Sequence, residues 1–316
     1  MLRDYALLVA AISRFQPVFI NHPSPAVEEE ARRLLERAEA APENLFFFDH
    51  PTDDAWCRDH GPLFVRHQET GEIALTDWEY NAWGGKFPSA LDNLIPRQIA
   101  SSLGMRRFSL PYILEGGSLE TDGRGHLLTT ESVLLNPNRN QGLSRTQIEE
   151  ILCQGLGVDR ILWLGIGLEG DDTDGHIDDL TRFTPGGEIL TVVETNPGDT
   201  NYRALQENLE ALHQLRDKAG KSWPVRTLPM PEPVYNDGER LPASYANYLI
   251  VNGAVLVPSF AQSDRDTEAQ NILGRAFPDR QIVPVDSRLF VREAGAVHCL
   301  TQHQPAGPFA PAGQSL

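Results

Sequence analysis

Apolar residues recur along this chain at two spacings, and the points where one gives way to the other divide it into helices and strands. Ala6, Leu7, Ala10, Ala11 and Phe15 follow helical spacing and predict an amphipathic first helix, with a strand over 17–21 behind it. Further helices are predicted over 25–41, 144–156, 199–219 and 266–276, each followed by a short apolar strand. Between helices there is often more than one strand. Residues 63–66 and 73–78 pair across Glu69, Thr70 and Gly71, and 180–184 pair with 188–193 through Pro185, Gly186 and Gly187. A third hairpin joins 248–251 to 255–258 through Asn252-Gly253, a dipeptide that favours a tight primed turn. A doubly wound nucleotide fold has one strand per helix, so this strand-strand-helix-strand cadence predicts repeated mixed α/β units instead. Neither GxGxxG nor GxxxxGKT opens any helix, which leaves a phosphate cradle without support.

Composition narrows the function more than the fold. The chain has 316 residues, no low-complexity linker and 41% hydrophobic content, which predicts one large domain over 1–305 and a flexible tail over 306–316. Its net charge of −17 argues against nucleic acid or an anionic membrane as partner and favours a cationic ligand. Cys57, Cys153 and Cys299 are an odd, widely spaced set with no CxxC pair, so a reducing, cytoplasmic compartment is expected. Charged residues interrupt the apolar run at the start, so neither a signal peptide nor a membrane span is expected there. A chain that begins inside a helix is expected to lack its first strand.

The candidate chemistry lies in Gly-rich loops at strand ends: DDAWCRDHGP (53–62), NAWGGKF (81–87), EGGS (115–118), DDTDGHIDD (171–179) and GAVHCLTQHQP (295–305). The fourth packs Asp171, Asp172, Asp174, Asp178 and Asp179 around His176, a costly arrangement unless something positive compensates it. In an extended segment His176 and Asp178 would project to one side and face one ligand. A solvated acidic loop and a metal site on the His-Xaa-Asp pair are the alternatives, although no HExxH or CxxC partner supplies further ligands. Cys299, beside His298 near the end of an apolar run, is either a small buried hydrophobe or a nucleophile. Cys57 competes with it; Arg58 would lower its pKa while Asp59 opposes that. Glu115 before two glycines could point a carboxylate into a cleft or mark only a turn. Trp56 and Trp83 are core aromatics or the wall of a pocket for a flat cation.

Taken in order, these loops resemble one family, the agmatine deiminases and related Porphyromonas-type bacterial peptidylarginine deiminases, within the guanidino-group-modifying superfamily. WCRDHGP resembles its Trp-Xaa-Arg-Asp-Xaa-Gly-Pro signature, EGGS its Glu-Gly-Gly loop, LLTTESVLLNPNRN the stretch after it, TDGHID its His-Xaa-Asp element and VHCLTQHQP its cysteine motif. The likeness runs from about Phe15 to Pro305. It implies a pentein fold, a five-bladed α/β propeller of ββαβ units around a central active-site channel, with the first blade incomplete. It also implies that Asp59 and Asp178 grip a guanidinium, that Glu115 and His176 complete the site, that Cys299 attacks, and that Asn247 supports it. Cofactor and metal are expected to be absent, and a homo-oligomer is compatible with the resemblance. The implied reaction is hydrolytic deimination of agmatine to N-carbamoylputrescine and ammonia, a step of polyamine biosynthesis, through a covalent thiouronium on Cys299. An arginine or peptidylarginine deiminase is the runner-up; it would need an Arg for the substrate carboxylate, for which only Arg58 and Arg139 offer themselves. A polyamine-binding protein without catalysis and a metallohydrolase are the readings from other classes. Two departures stand out: Glu293-Ala294-Gly295-Ala296-Val297 replaces the family's Gly-Gly-Gly-Asn-Ile before HisCys, and the usual N-terminal segment with its Trp and His motif is missing.

Overall fold

The computed structural model describes residues 1–310. Its strands are β1 (Val18–His22), β2 (Leu45–Asp49), β3 (Leu63–Arg66), β4 (Ile73–Glu79), β5 (Arg107–Ile113), β6 (Glu120–Thr121), β7 (His126–Thr130), β8 (Arg160–Leu164), β9 (Thr181–Phe183), β10 (Ile189–Val193), β11 (Val225–Pro229), β12 (Tyr235–Asn236), β13 (Glu239–Arg240), β14 (Leu249–Val251), β15 (Ala254–Ser259) and β16 (Gln281–Asp286). The chain groups into two compact units, one of residues 1–51, 167–172 and 178–298, the other of 52–166, 173–177 and 299 onward.

In the unit that starts at residue 1, β9 and β10 form a hairpin, the helix Tyr202–Gln214 crosses over, and β11 returns parallel to β10. Strands β14, β15 and β16 repeat that connectivity around the helix Ser263–Ala276. β1 and β2 have only the parallel half of it, joined by Pro25–Arg37, a helix capped by the Ser24 hydroxyl and opened by proline. β12 and β13 make a separate small hairpin. The other unit holds β3-β4-β5 around the helix Ile95–Leu103 and β6-β7-β8 around the helix Arg145–Leu156. The expected strand-strand-helix-strand cadence is therefore present, and its physical basis is ordinary: a parallel return needs a crossover, and a helix provides it while covering the sheet. Trp78, Leu127, Ile148, Leu152 and Trp163 fill the space under the last helix, where Gly155 admits the Trp78 ring: a Cβ there would lie 2.5 Å from it.

Several expectations are corrected. The first helix runs Leu2–Ser13 and buries Ala6, Leu8, Val9, Ala10 and Ile12, whereas Leu7 is exposed, so the sequence spacing chose a face rotated from the buried one. The Asn252-Gly253 turn is not primed, because only Gly253 takes a positive φ and a primed type I turn needs two; the Asn252 amide instead donates to Gln16 Oε1. The tail is docked over part of its length. Pro308 O accepts from Ile73 N, Ala310 N donates to Ile73 O, and Ala310 O accepts from Arg106 N, so the tail bridges the first residue of β4, ahead of its pairing with β5; residues 311–316 lie outside the described residues. No helix among the described residues is long and apolar enough to cross a membrane.

Candidate active site

In the unit of residues 52–166, 173–177 and 299 onward, residues from all five loops converge. The first forms a single helical turn, Cys57–His60, closed by bonds from the amides of Asp59 and His60 to the Trp56 carbonyl. Arg58 N donates to Cys299 O at 3.0 Å, so the main chain at the candidate nucleophile is tied to the residue before Asp59. Arg58 also donates to Gln302 Oε1 at 2.7 Å and its Nη2 lies 3.0 Å from His303 Nδ1, which fastens the C-terminal loop to the same turn.

Asp59 is buried, and its carboxylate is held by two neutral donors, the Trp83 indole N–H on Oδ2 at 3.0 Å and the Gly117 amide on Oδ1 at 2.9 Å. His176 Nδ1 stands 3.6 Å from Asp59 Oδ1, and His176 Nε2 stands 3.8 Å from Glu115 Oε2. An imidazole thus sits between two buried carboxylates. The glycines of EGGS are what allow this approach. A Cβ on Gly117 would meet His176 Nδ1 at 2.5 Å and Asp59 Oδ1 at 2.7 Å, and one on Gly116 would meet the Arg58 carbonyl at 2.1 Å.

The environments of the two carboxylates differ. Burial pushes the Asp59 carboxyl above its ordinary range, with His176 opposing and Glu115 reinforcing that rise. For Glu115, burial acts in the same upward direction, but His176 and the Arg139 cation overcome it and hold the group below its ordinary value. Arg139 Nε donates to Glu115 Oε1 at 2.6 Å, Nη1 to Asp174 Oδ2 at 2.5 Å and Nη2 to the Thr173 carbonyl at 2.9 Å. Asp174 also accepts from Lys86 Nζ at 2.8 Å and Asn138 Nδ2 at 3.0 Å. The positive partner expected for the acidic loop is, at Asp174, supplied by this chain's own Arg139 and Lys86. Sequence reasoning considered Arg139 only for a substrate carboxylate; its place near Glu115 in LLNPNRN was the available signal.

The loop geometry corrects a further expectation. Asp174 and Gly175 take positive φ, and Ile177–Asp179 form a 3-10 turn, so His176 and Asp178 are not alternate residues of an extended strand facing one side. Asp178, fully buried, belongs with the other unit, where its Oδ2 lies 2.6 Å from His298 Nδ1. Asn247, also in that unit and buried, donates to Asp179 Oδ1 at 2.9 Å and accepts from His298 N at 2.9 Å.

Both tryptophans are buried. Trp83 packs edge-on against Tyr80 and Phe87 and donates to Asp59, so it orients a carboxylate besides filling space. Its backbone φ of 55°, next to Ala82 at 49°, is a strained conformation for residues with a Cβ, and Gly84 beyond it touches Asn138 too closely to carry one. Trp56 is buried at the base of the first turn. Of the competing thiols, Cys57 is pushed up to about 11, chiefly by burial and then by Asp92, with Arg58 too weak an opponent. Cys299 is buried, and its carbonyl accepts from the Arg58 amide of the first loop.

The sequence profile of the Porphyromonas-type peptidyl-arginine deiminase family matches residues 1–305. The agmatine deiminase of Pseudomonas fluorescens is 39% identical over 327 residues, which span 96% of this chain and 86% of the relative. The structure of Enterococcus faecalis agmatine deiminase catalysing its reaction aligns with a TM-score of 0.88 at 33% identity, covering 96% of this chain and 87% of that one. A cysteine-to-serine variant of the C. jejuni agmatine deiminase with substrate bound aligns with a TM-score of 0.85 at 33% identity, covering 99% and 88%. The mixed α/β fold is shared with these structures.

Proposed function

Because this chain belongs to the Porphyromonas-type peptidyl-arginine deiminase family, we propose that it is an agmatine deiminase, hydrolysing agmatine to N-carbamoylputrescine and ammonia. The observation that carries the reading is His176 held between the buried carboxylates of Asp59 and Glu115, with Asp59 on a turn whose Arg58 amide donates to the Cys299 carbonyl. A guanidinium is flat, cationic and a poor electrophile. Carboxylates hold it oriented and desolvated while a thiolate reaches its central carbon. Asp59 is the carboxylate suited to this, and the His-Xaa-Asp motif adds Asp178 as the second.

In the reaction, the Cys299 thiolate bonds to the guanidinium carbon. The C–N bond to an amino group breaks as that nitrogen takes a proton from His176, and ammonia leaves a covalent S-alkylthiouronium. His176 then deprotonates a water that attacks the same carbon, the C–S bond breaks, and the ureido product departs with the thiolate restored. Trp83 orients Asp59, Trp56 walls the pocket, and Asn247 supports the cysteine motif. No cofactor or metal is required by this sequence of steps.

The proposed architecture is the five-bladed pentein propeller around a channel, in a single catalytic domain that operates in the cytoplasm. Agmatine is favoured over arginine or a peptidylarginine because both arginines nominated for a substrate carboxylate are engaged, Arg139 by Glu115 and Asp174 and Arg58 by Gln302. Ammonia release from agmatine, arginine and a peptidylarginine, measured on the native chain and on Cys299→Ala, tests the reading. Turnover of agmatine that disappears in Cys299→Ala supports it. Turnover that survives the substitution, or that appears only with peptidylarginine, replaces it.

A further inference from the structure

The unit that holds Asp178 contains two buried polar side chains beside it, Arg182 and His298, to which the proposed chemistry assigns no part. Arg182 donates through Nη1 to the carbonyls of Ala246 at 3.0 Å and Tyr248 at 2.9 Å, and its guanidinium stands over the Tyr248 ring. Its Nη2 lies 3.0 Å from His298 Nε2, and the opposite ring nitrogen, Nδ1, lies 2.6 Å from Asp178 Oδ2. All three side chains are buried. A guanidinium has donors and no acceptor, so His298 Nε2 must accept from Arg182. The single ring proton is then on Nδ1 and is donated to Asp178. An imidazolium would set a second N–H against the guanidinium, so the heavy atoms alone fix a neutral ring in one tautomer. The backbone of His298 is held as firmly, its amide donating to Asn247 Oδ1, whose own amide nitrogen donates to Asp179.

We propose that His298, locked in its Nδ1–H tautomer by Arg182, is a positioning residue that sets the plane of the Asp178 carboxylate for the substrate guanidinium. This rests on the reading of Asp178 as a guanidinium ligand. A carboxylate with one oxygen pinned cannot rotate about its Cβ–Cγ bond, so it meets a planar cation without first being ordered. Arg182 acts at one further remove, because it removes the other tautomer, in which His298 would present an acceptor to Asp178 and repel it.

Two substitutions separate positioning from mere packing. In His298→Asn the amide nitrogen can replace the Nδ1–H donor to Asp178; in His298→Gln the longer side chain keeps an acceptor for Arg182 and loses that donor. His298→Asn is expected to stay within a few-fold of the native kcat/KM for agmatine. His298→Gln is expected to lose about 10- to 100-fold, carried mainly by KM, the range of a hydrogen bond to a charged group. Equal values for the two variants, or a loss confined to kcat, overturn the proposal. Asp178→Asn is measured beside them: an unchanged KM there refutes the reading of Asp178 as ligand, whereas a raised KM with a harmless His298→Gln refutes the positioning role alone. Should His298→Gln fail to fold, the 15N shifts of the native ring decide, assigned by the signals that vanish in His298→Asn. A pyrrole-type Nδ1 and a pyridine-type Nε2 are expected; an imidazolium or the opposite tautomer overturns the proposal.

Discussion

Replacing Arg139 by methionine removes the cation of a fully buried ion pair while nearly preserving side-chain length, and the structure sets the size of the effect. Both side chains of the Arg139–Glu115 pair are wholly out of solvent. Asp174 retains Lys86 and Asn138, so the loss falls on Glu115, which keeps only the imidazole of His176 against its burial. Breaking such a pair from one side costs about 3–5 kcal/mol. A second route to the magnitude assumes that the variant avoids a buried charge by keeping Glu115 protonated. From its ordinary value of 4.5, that costs about 3.4 kcal/mol at pH 7, at roughly 1.4 kcal/mol per pH unit. The two routes agree. The sign follows from linkage. In the native protein Glu115 has a depressed pKa, so its stabilisation is present above 4.5 and is lost as pH falls through the lower folded value. In Arg139→Met burial acts with less opposition and raises that pKa, so the variant is penalised above 4.5 and recovers as pH falls toward it. Urea unfolding followed by tryptophan fluorescence at pH 7, 6 and 5 should show the gap shrink by about 1.4 kcal/mol per unit. A gap below about 1 kcal/mol at pH 7, or one that does not change with pH, refutes the argument.

Iodoacetamide at pH 8 should spare Cys57, whose thiol burial and Asp92 push up to about 11, and Cys57→Ala should keep native turnover; peptide mass spectrometry of the labelled protein checks the first and an ammonia assay the second. Trp83→Phe removes the indole donor from Asp59 and is expected to lower kcat/KM by roughly 10- to 100-fold, the worth of a bond to a charged acceptor. Because the Asp59 carboxyl is raised by burial, agmatine should bind Cys299→Ala more weakly as pH falls through that raised value, with proton release on binding detectable by calorimetry in buffers of different ionisation enthalpy. Ending the chain at residue 307 deletes three main-chain hydrogen bonds to Ile73 and Arg106, and thermal or urea unfolding should register a loss of roughly 2–4 kcal/mol.

What the sequence disclosed depended on the range of the interaction concerned. Hairpins and crossover helices were legible because alternation and helical spacing are local, and residues 63–66 with 73–78 pair as β3 and β4 as expected. The helix Ile95–Leu103 escaped notice although proline in its first turn and the left-handed Gly104 after it are ordinary boundary signals. Strand β6 is two residues long, too short for any period to register. Asp59, Glu115 and His176 stood out because glycines and acids mark their loops, and the structure brings these three together. Arg139 and His298 did not stand out, because their meaning lies in partners 24 and 120 residues away. The extended segment supposed for His176 and Asp178 is replaced by a 3-10 turn over Ile177–Asp179, which a string of acids does not announce.

The same partners decide which acid is left to hold a cation. Acid loops invite the inference that any carboxylate in them attracts a positive ligand, yet the acids here differ in how far partners within the chain already neutralise them. Glu115 is matched by Arg139, and Asp174 by Arg139 and Lys86, so both are neutralised within the chain. Among the described residues, the hydrogen-bond donors to Asp59 are an indole N–H and a main-chain amide, neither of which carries charge, and beyond these it has the imidazole of His176 at 3.6 Å. Two neutral donors fix its direction without cancelling its charge, and burial then makes the uncancelled charge costly. A guanidinium entering next to Asp59 removes that cost, whereas next to Glu115 it would meet a carboxylate already paired and the repulsion of Arg139. On the proposed reading the site therefore discriminates between its own acids by their internal partners, and an external cation is expected to stabilise Asp59 and not the more conspicuous Asp174.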